Sequence, residues 1–153
     1  MPGPINIAHL KRTHERFKQR NKQIVDVAMR AAGAHAVEHV RQQSKFKRRS
    51  RSSLKDDTKT QIIRSRGGKI LRLKWSKKHA PFIEYGTRPH VIKPKRRSHL
   101  VFYWRKVGKV VFAKKVNHPG TKPYKFGWKS AHAAHRILGQ RLERGMTAAA
   151  QKF

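Results

Sequence analysis

The sequence predicts an α+β fold with a long N-terminal helix, an antiparallel sheet of about four strands and a C-terminal helix. Helical patterns of apolar residues lie at both ends of the chain, and a stretch of alternating apolar and basic residues lies between them. Apolar residues recur with a period near 3.6 in helices and near 2 in strands, so the period marks each element. The chain has 153 residues, and we predict a single domain over residues 1–153.

The first element is a helix predicted over residues 7–43. Leu10, Phe17, Ile24 and Ala31 recur at every seventh position and define one apolar face. At 1.5 Å per residue the helix extends about 55 Å, which is long for a domain of this size. We therefore expect part of it, including Phe17 and Ile24, to pack against another subunit.

Within the predicted helix, Gly33 is a weak point and marks a bend. A loop is predicted after the helix, over residues 44–58. The loop is rich in Lys, Arg and Ser and has almost no apolar residues, so we expect it to be exposed. Its candidate contacts with DNA or with an acidic partner are the basic residues Lys45, Lys47, Arg48, Arg49 and Arg51.

The sheet is predicted over residues 59–116, and it begins with a hairpin. Two glycines, Gly67 and Gly68, supply the turn. On the strand that follows, Leu71 and Leu73 alternate with basic residues, which predicts one buried and one basic face.

A second hairpin is predicted from strands at His99–Trp104 and Lys109–Lys114. Phe102, Trp104 and Phe112 alternate with their neighbours as the residues of a core face do, and we expect them to be buried. The alternative is that they are exposed and that bases of a nucleic acid stack on them.

The chain ends with an irregular segment and a helix. Residues 117–124 contain Pro119-Gly120, a usual pair for the centre of a type II turn. The C-terminal helix is predicted over residues 127–149. One face of this helix carries, at three- and four-residue steps, Trp128, Ala131, His135, Leu138, Leu142 and Met146.

Charge dominates the composition. The chain has 39 Lys and Arg against 7 Asp and Glu, and a formal net charge of +32. Such a charge attracts polyanions, so we expect contact with nucleic acid or with a strongly acidic protein ring. The chain has no cysteine, and no segment with the length and apolar character of a membrane span or a signal peptide. We expect a protein made in the cytoplasm, without a membrane partner.

No catalytic, cofactor or metal site is predicted. The segment HAVEH places His35 and His39 one helical turn apart with Glu38 between them, as in some zinc hydrolases. Five residues are weak support, however, and the sequence offers no third ligand at a suitable spacing. Asp56 and Asp57 are adjacent carboxylates, and a helix start or a local salt bridge explains them at lower cost than acid–base chemistry.

Two segments resemble a known family. They are HAPFIEYGTRPHVIKP, around Phe82–Pro94, and NHPGTKPYKF, around Asn117–Tyr124. Paired motifs of this kind, in this order and about thirty residues apart, resemble those of the tail components of long-tailed bacteriophages known as head–tail joining or tail completion proteins. The resemblance covers roughly residues 32–145. Lys125 departs from it, since the family usually has a second proline there.

The resemblance implies a structural protein of the virion neck, at the top of the tail. Such proteins form a homo-oligomeric ring, six-fold like the tail tube, between the head connector and the tail tube or tail terminator. Phage DNA passes through the ring during ejection. Tyr85, Gly86 and Thr87 are expected to form a tight turn that ends a short helix. Glu84 is expected to form an ion pair with Arg or Lys, within its own chain or with the next subunit.

The expected ring interface includes both motifs, with the segment from His118 to Pro123 packed beside the turn. Its candidate residues are Glu84, Tyr85, Gly86, Thr87, His118, Pro119, Gly120, Thr121 and Pro123. The alternative is a free-standing basic nucleic-acid-binding protein of ribosomal or nucleoid type, which the composition by itself favours.

Overall fold

The computed structural model describes residues 7–43 and 54–151, and it confirms the α+β fold class with a long N-terminal helix, small antiparallel sheets and a C-terminal helix. The elements in chain order are α1 (Ile7–Gln42), α2 (Leu54–Asp57), β1 (Lys59–Ser65), β2 (Gly68–Lys74), α3 (Ala80–Tyr85), β3 (His90–Ile92), β4 (Leu100–Trp104), β5 (Lys109–Ala113), β6 (Val116–His118) and α4 (Phe126–Ala150).

The predicted sheet of about four strands is corrected to three antiparallel strand pairs, β1–β2, β3–β6 and β4–β5. Two of these pairs are the predicted hairpins. The third joins β3 to β6, and β6 overlaps the start of the segment predicted to be irregular. Strands β3 and β6 have three residues each, which is too short for an alternating pattern to be recognised in the sequence.

By its internal contacts the chain divides into two compact units. The helical unit comprises Met1–Lys77 and Phe126–Phe153, and it contains α1, α2, β1, β2 and α4. The inserted unit comprises Lys78–Lys125 and contains both resemblance motifs and the β4–β5 hairpin. The single domain stays a prediction.

Small side chains form the seam between the two long helices. Ala32 and Ala36 of α1 and Ala134 of α4 are buried together, with Leu71 and Leu73 of β2 packed against them. A seam of small residues lets two helix backbones approach closely, and the hairpin covers the cluster. The face of α4 recognised in the sequence is therefore not the face that is buried. Its large members Trp128 and Met146 are 63% and 48% exposed, while the buried residues of α4 are Phe126, Gly127, Ser130, Ala134 and Ala149.

The two helices run antiparallel, and α1 extends past the end of α4. Gln43 bonds to Phe126, His39 to Ser130, and Ile24 lies against Gly145. Continuing this register places Ala150, the last residue of α4, opposite Gln19. The first three turns of α1 therefore have no α4 residue beside them.

Gly33 lies inside the continuous helix α1 and is buried, and the bend predicted there stays a prediction. A Cβ at this position would lie 3.2 Å from Thr60 Oγ1 and 3.3 Å from Leu71 Cδ1. The glycine therefore allows the β1–β2 hairpin to approach α1. Trp75, just after β2, donates to Thr58 Oγ1 at 2.9 Å and packs edge-on against Phe126 at 5.0 Å.

Candidate interface site

The two resemblance motifs meet in the inserted unit. The backbone N–H of Thr87 donates to the Thr121 carbonyl at 3.0 Å, and the N–H of Thr121 donates to the Thr87 carbonyl at 3.1 Å. Their hydroxyl oxygens lie 3.1 Å apart and share a third hydrogen bond. The prediction that the segment from His118 to Pro123 packs beside the Tyr85–Thr87 turn is confirmed.

A glycine precedes each threonine, and the close approach of the two backbone segments requires it. Gly86 and Gly120 have φ values of 74° and 83°, a region that favours glycine. A Cβ at Gly86 would lie less than 3.0 Å from the Thr121 carbonyl oxygen. A Cβ at Gly120 would lie equally close to the Thr87 carbonyl oxygen. Gly86 also ends α3, as the sequence predicted.

Further contacts extend this pairing on both sides. On one side the N–H of Tyr124 donates to the Ile83 carbonyl at 2.9 Å, and the N–H of Lys125 donates to the Glu84 carbonyl at 3.2 Å. On the other side β3 and β6 pair from His90–His118 to Ile92–Val116. The contacts between the two motifs therefore run from the end of α3, through the antiparallel Thr87–Thr121 bridge, to the β3–β6 strand pair.

Two histidine rings lie against each other at the first residue pair of β3 and β6. The His90 and His118 rings are 5.0 Å apart with planes inclined by 33°. His118 Nδ1 accepts from the N–H of Gly120 at 3.0 Å, so its ring proton is on Nε2. His90 Nδ1 lies 2.9 Å from the Arg88 carbonyl, which only accepts, so Nδ1 donates this hydrogen bond.

An open groove with a volume of about 760 Å³ lies beside the paired motifs. Its apolar lining includes Phe82, which is 59% exposed, and its polar lining includes Arg88 and three histidines. The neighbouring Tyr85 is 78% exposed. An apolar groove with a few basic groups suits a partner's side chains better than it suits bulk water.

The other predicted interface residues have separate positions. Glu84 is half-buried, and the ion pair predicted for its carboxylate stays a prediction. Phe17 is 44% exposed on the part of α1 beyond α4. Ile24 contacts Gly145 of its own chain. The basic run of Lys45, Lys47, Arg48, Arg49 and Arg51 lies outside the described residues.

The histidines and carboxylates considered as metal ligands or acid–base groups include several that form hydrogen bonds within the chain. His39 Nδ1 lies 3.0 Å from Ser130 Oγ, and Glu38 accepts from Gln42 at 3.1 Å. Asp57 accepts from the backbone N–H groups of Ser76 and Lys77 at 2.6 and 2.9 Å, which ties α2 to the end of β2. Within residues 7–43 and 54–151, no three His, Asp or Glu side chains are grouped in a way that could hold a metal ion.

The β4–β5 hairpin contradicts the predicted burial of its aromatic residues. Phe102 is partly buried, but Trp104 is 47% and Phe112 69% exposed. The alternation is real, yet nothing in the sequence indicates whether another layer covers the hairpin. The described residues also contain no helix with the length and apolar character needed to cross a membrane.

Comparisons with protein-family models, with curated proteins and with solved structures give no match for this chain. The resemblance to phage tail components therefore rests on the two sequence motifs alone.

Proposed function

We propose that the protein is a structural component of a phage virion, which forms a six-membered ring at the head–tail interface and flanks the DNA channel. The observation that carries this proposal is the reciprocal pairing of Thr87 with Thr121. It joins the two separate motifs on which the phage resemblance rests. Their exposed groove then offers a surface to a neighbouring subunit, and no catalytic role is assigned.

The charge distribution supports a position around DNA. Glu84 is the single acidic residue of the inserted unit, and the next acid in the sequence is Glu143. Subunits that each carry a formal charge of +32 repel one another, so a ring of them requires a polyanion in its channel or acidic neighbours above and below. In the proposal, the polyanion is phage DNA, and the neighbours are the head connector and the tail tube or tail terminator.

The N-terminal part of α1 supports contact between subunits. Ile7, Leu10 and Phe17 are 66%, 54% and 44% exposed, and Phe17 and the residues before it lie beyond the end of α4. Apolar side chains on an extending helix are expected to be covered in an assembly.

Labelling the protein in purified particles and imaging them tests the proposal. We expect the label at the neck, and we expect separate heads and tails when the protein is missing. Label distributed over packaged DNA, with normal head–tail joining in the absence of the protein, would contradict it.

The second candidate is a free-standing nucleic-acid-binding protein, which the net charge of +32 favours. It predicts that most of the protein co-purifies with host or phage nucleic acid and that nuclease treatment releases it. A neck component stays with nuclease-treated particles, because protein contacts hold it there.

A further inference from the structure

One face of the β4–β5 hairpin consists of large apolar side chains in contact with solvent. Val101 lies opposite Phe112, and Tyr103 lies opposite Val110. Opposite residues of an antiparallel pair share a face, so these four form one surface. They are 50%, 69%, 61% and 54% exposed, respectively.

The two aromatic residues on this surface are diagonal neighbours. Such side chains are about 7–8 Å apart, whereas stacked bases within one strand of a duplex are separated by about 3.4 Å. Tyr103 and Phe112 therefore match successive bases only when these have been pulled apart. A single strand can adopt that spacing, and a stacked duplex cannot.

Basic residues lie at both ends of the hairpin. The exposed ones at the turn are Arg105, Lys106 and Lys109, and those at the open end are Arg96, Arg97, Lys114 and Lys115. A strand laid along the hairpin would meet positive charge before and after the aromatic surface. Apposing this face with that of a second copy would instead bring like charges together.

We propose that this face is a binding site for single-stranded nucleic acid, in which bases stack on Tyr103 and Phe112 and the basic ends hold phosphates. Aromatic rings accept any base, so binding is independent of sequence. The site is separate from the role in head–tail joining, and each stands or falls without the other.

The test compares a fluorescent oligo-dT with a duplex of the same length, titrated with full-length protein over a range of salt concentrations. Tyr103→Ala and Phe112→Ala should each weaken single-strand binding about 5- to 150-fold, because a stacked base is lost. The slope of log Kd against log salt should stay unchanged, since no phosphate contact is removed. Duplex binding should hardly change.

Matched variants separate stacking from other effects. Tyr103→Phe should bind like the wild type, whereas Tyr103→Leu should lose affinity although it remains apolar. Trp104→Ala, on the opposite face, should leave single-strand binding unchanged. All variants should melt at the wild-type temperature, because the replaced side chains are exposed. A parallel titration with oligo-U distinguishes an RNA ligand from a DNA ligand.

Two results would overturn the proposal. One is unchanged single-strand affinity in the Tyr103→Ala/Phe112→Ala double variant, which would leave this face to an acidic protein partner. The other is an equal loss for single strand and duplex, which would indicate a general change of the surface rather than lost stacking.

Discussion

Thr87 and Thr121 exchange backbone hydrogen bonds in both directions, and a glycine with positive φ precedes each of them. The two motifs are therefore equivalent halves of one contact. A Cβ at Gly86 or Gly120 would meet the opposite threonine's carbonyl group, so the contact cannot form unless both residues are glycine. This relationship explains why each motif has a glycine directly before its threonine.

Gly86→Ala and Gly120→Ala are each expected to destabilise the inserted unit by at least about 2 kcal/mol, through backbone strain and a steric clash. Gly108→Ala separates these causes, because Gly108 has a φ of 70° but no atom near its Cβ position. It should cost about 1–2 kcal/mol, from strain only. Gly139→Ala, in an open helical position, should be neutral or stabilising by up to about 1 kcal/mol. Denaturant unfolding measures all four, and equal effects of Gly86→Ala and Gly139→Ala would contradict the assigned contact.

Acidic pH should lower the stability of the helical unit, because the Asp26 carboxylate becomes protonated. The Lys69 ammonium, hydrogen-bonded to Asp26, lowers the pKa of that carboxyl below its ordinary value. The resulting stability is present above the ordinary carboxyl pKa of about 4 and is lost as the pH falls through the lowered value. Melting temperature measured from pH 6 to pH 2 should therefore fall more steeply for the wild type than for Asp26→Asn.

The matched control for this pH effect is Glu15→Gln. Lys18 also lowers the pKa of Glu15, but both side chains are more than half exposed. Solvent screens such a pair, so its loss should hardly change the pH profile. Identical profiles for Asp26→Asn and the wild type would exclude the Asp26–Lys69 pair as a source of acid sensitivity.

The extending part of α1 should serve assembly. Phe17→Asp should reduce the number of joined particles, because it places a charge on an apolar part of α1 that we propose to contact another subunit. Ile24→Asp should lower the melting temperature, since Ile24 packs on Gly145. Electron microscopy of particles together with thermal melting checks both. Normal joining by the Phe17→Asp protein would remove this part of α1 from the subunit interface.

The sequence predicts the order and the type of the main elements well. Strand β2 alternates as expected, with Leu71 and Leu73 turned inward, and α1 ends one residue before its predicted end. The helix faces were less predictable. The pattern of large residues on α4 indicated Trp128 and Met146, whereas small residues such as Ala134 form the seam. Periodicity locates apolar stripes, but it does not reveal which stripe allows the closest approach of two helices.

The turns of the candidate site could be predicted, because tight turns favour a particular residue type, glycine. The two Gly-Thr pairs indicated tight turns, and these turns meet. The β3–β6 pairing that positions them was not predictable, because it joins three-residue strands across the intervening hairpin. Exposure of Tyr103 and Phe112 was also not predictable, since an alternating strand has the same pattern whether or not a layer covers it.

The basic loop should bind phosphates without sequence preference. Neutralising Lys47, Arg48, Arg49 and Arg51 together should weaken binding to any duplex, most strongly at low salt. If all four contact phosphates, the slope of log affinity against log salt should decrease by about 3.6 units, at about 0.9 for each lost contact. Relative affinities for different sequences should not change, because phosphate contacts carry no sequence information. The rival account is that the loop binds an acidic neighbouring ring. It predicts an unchanged salt slope together with heads and tails that fail to join, so a salt titration and a count of joined particles decide between the two.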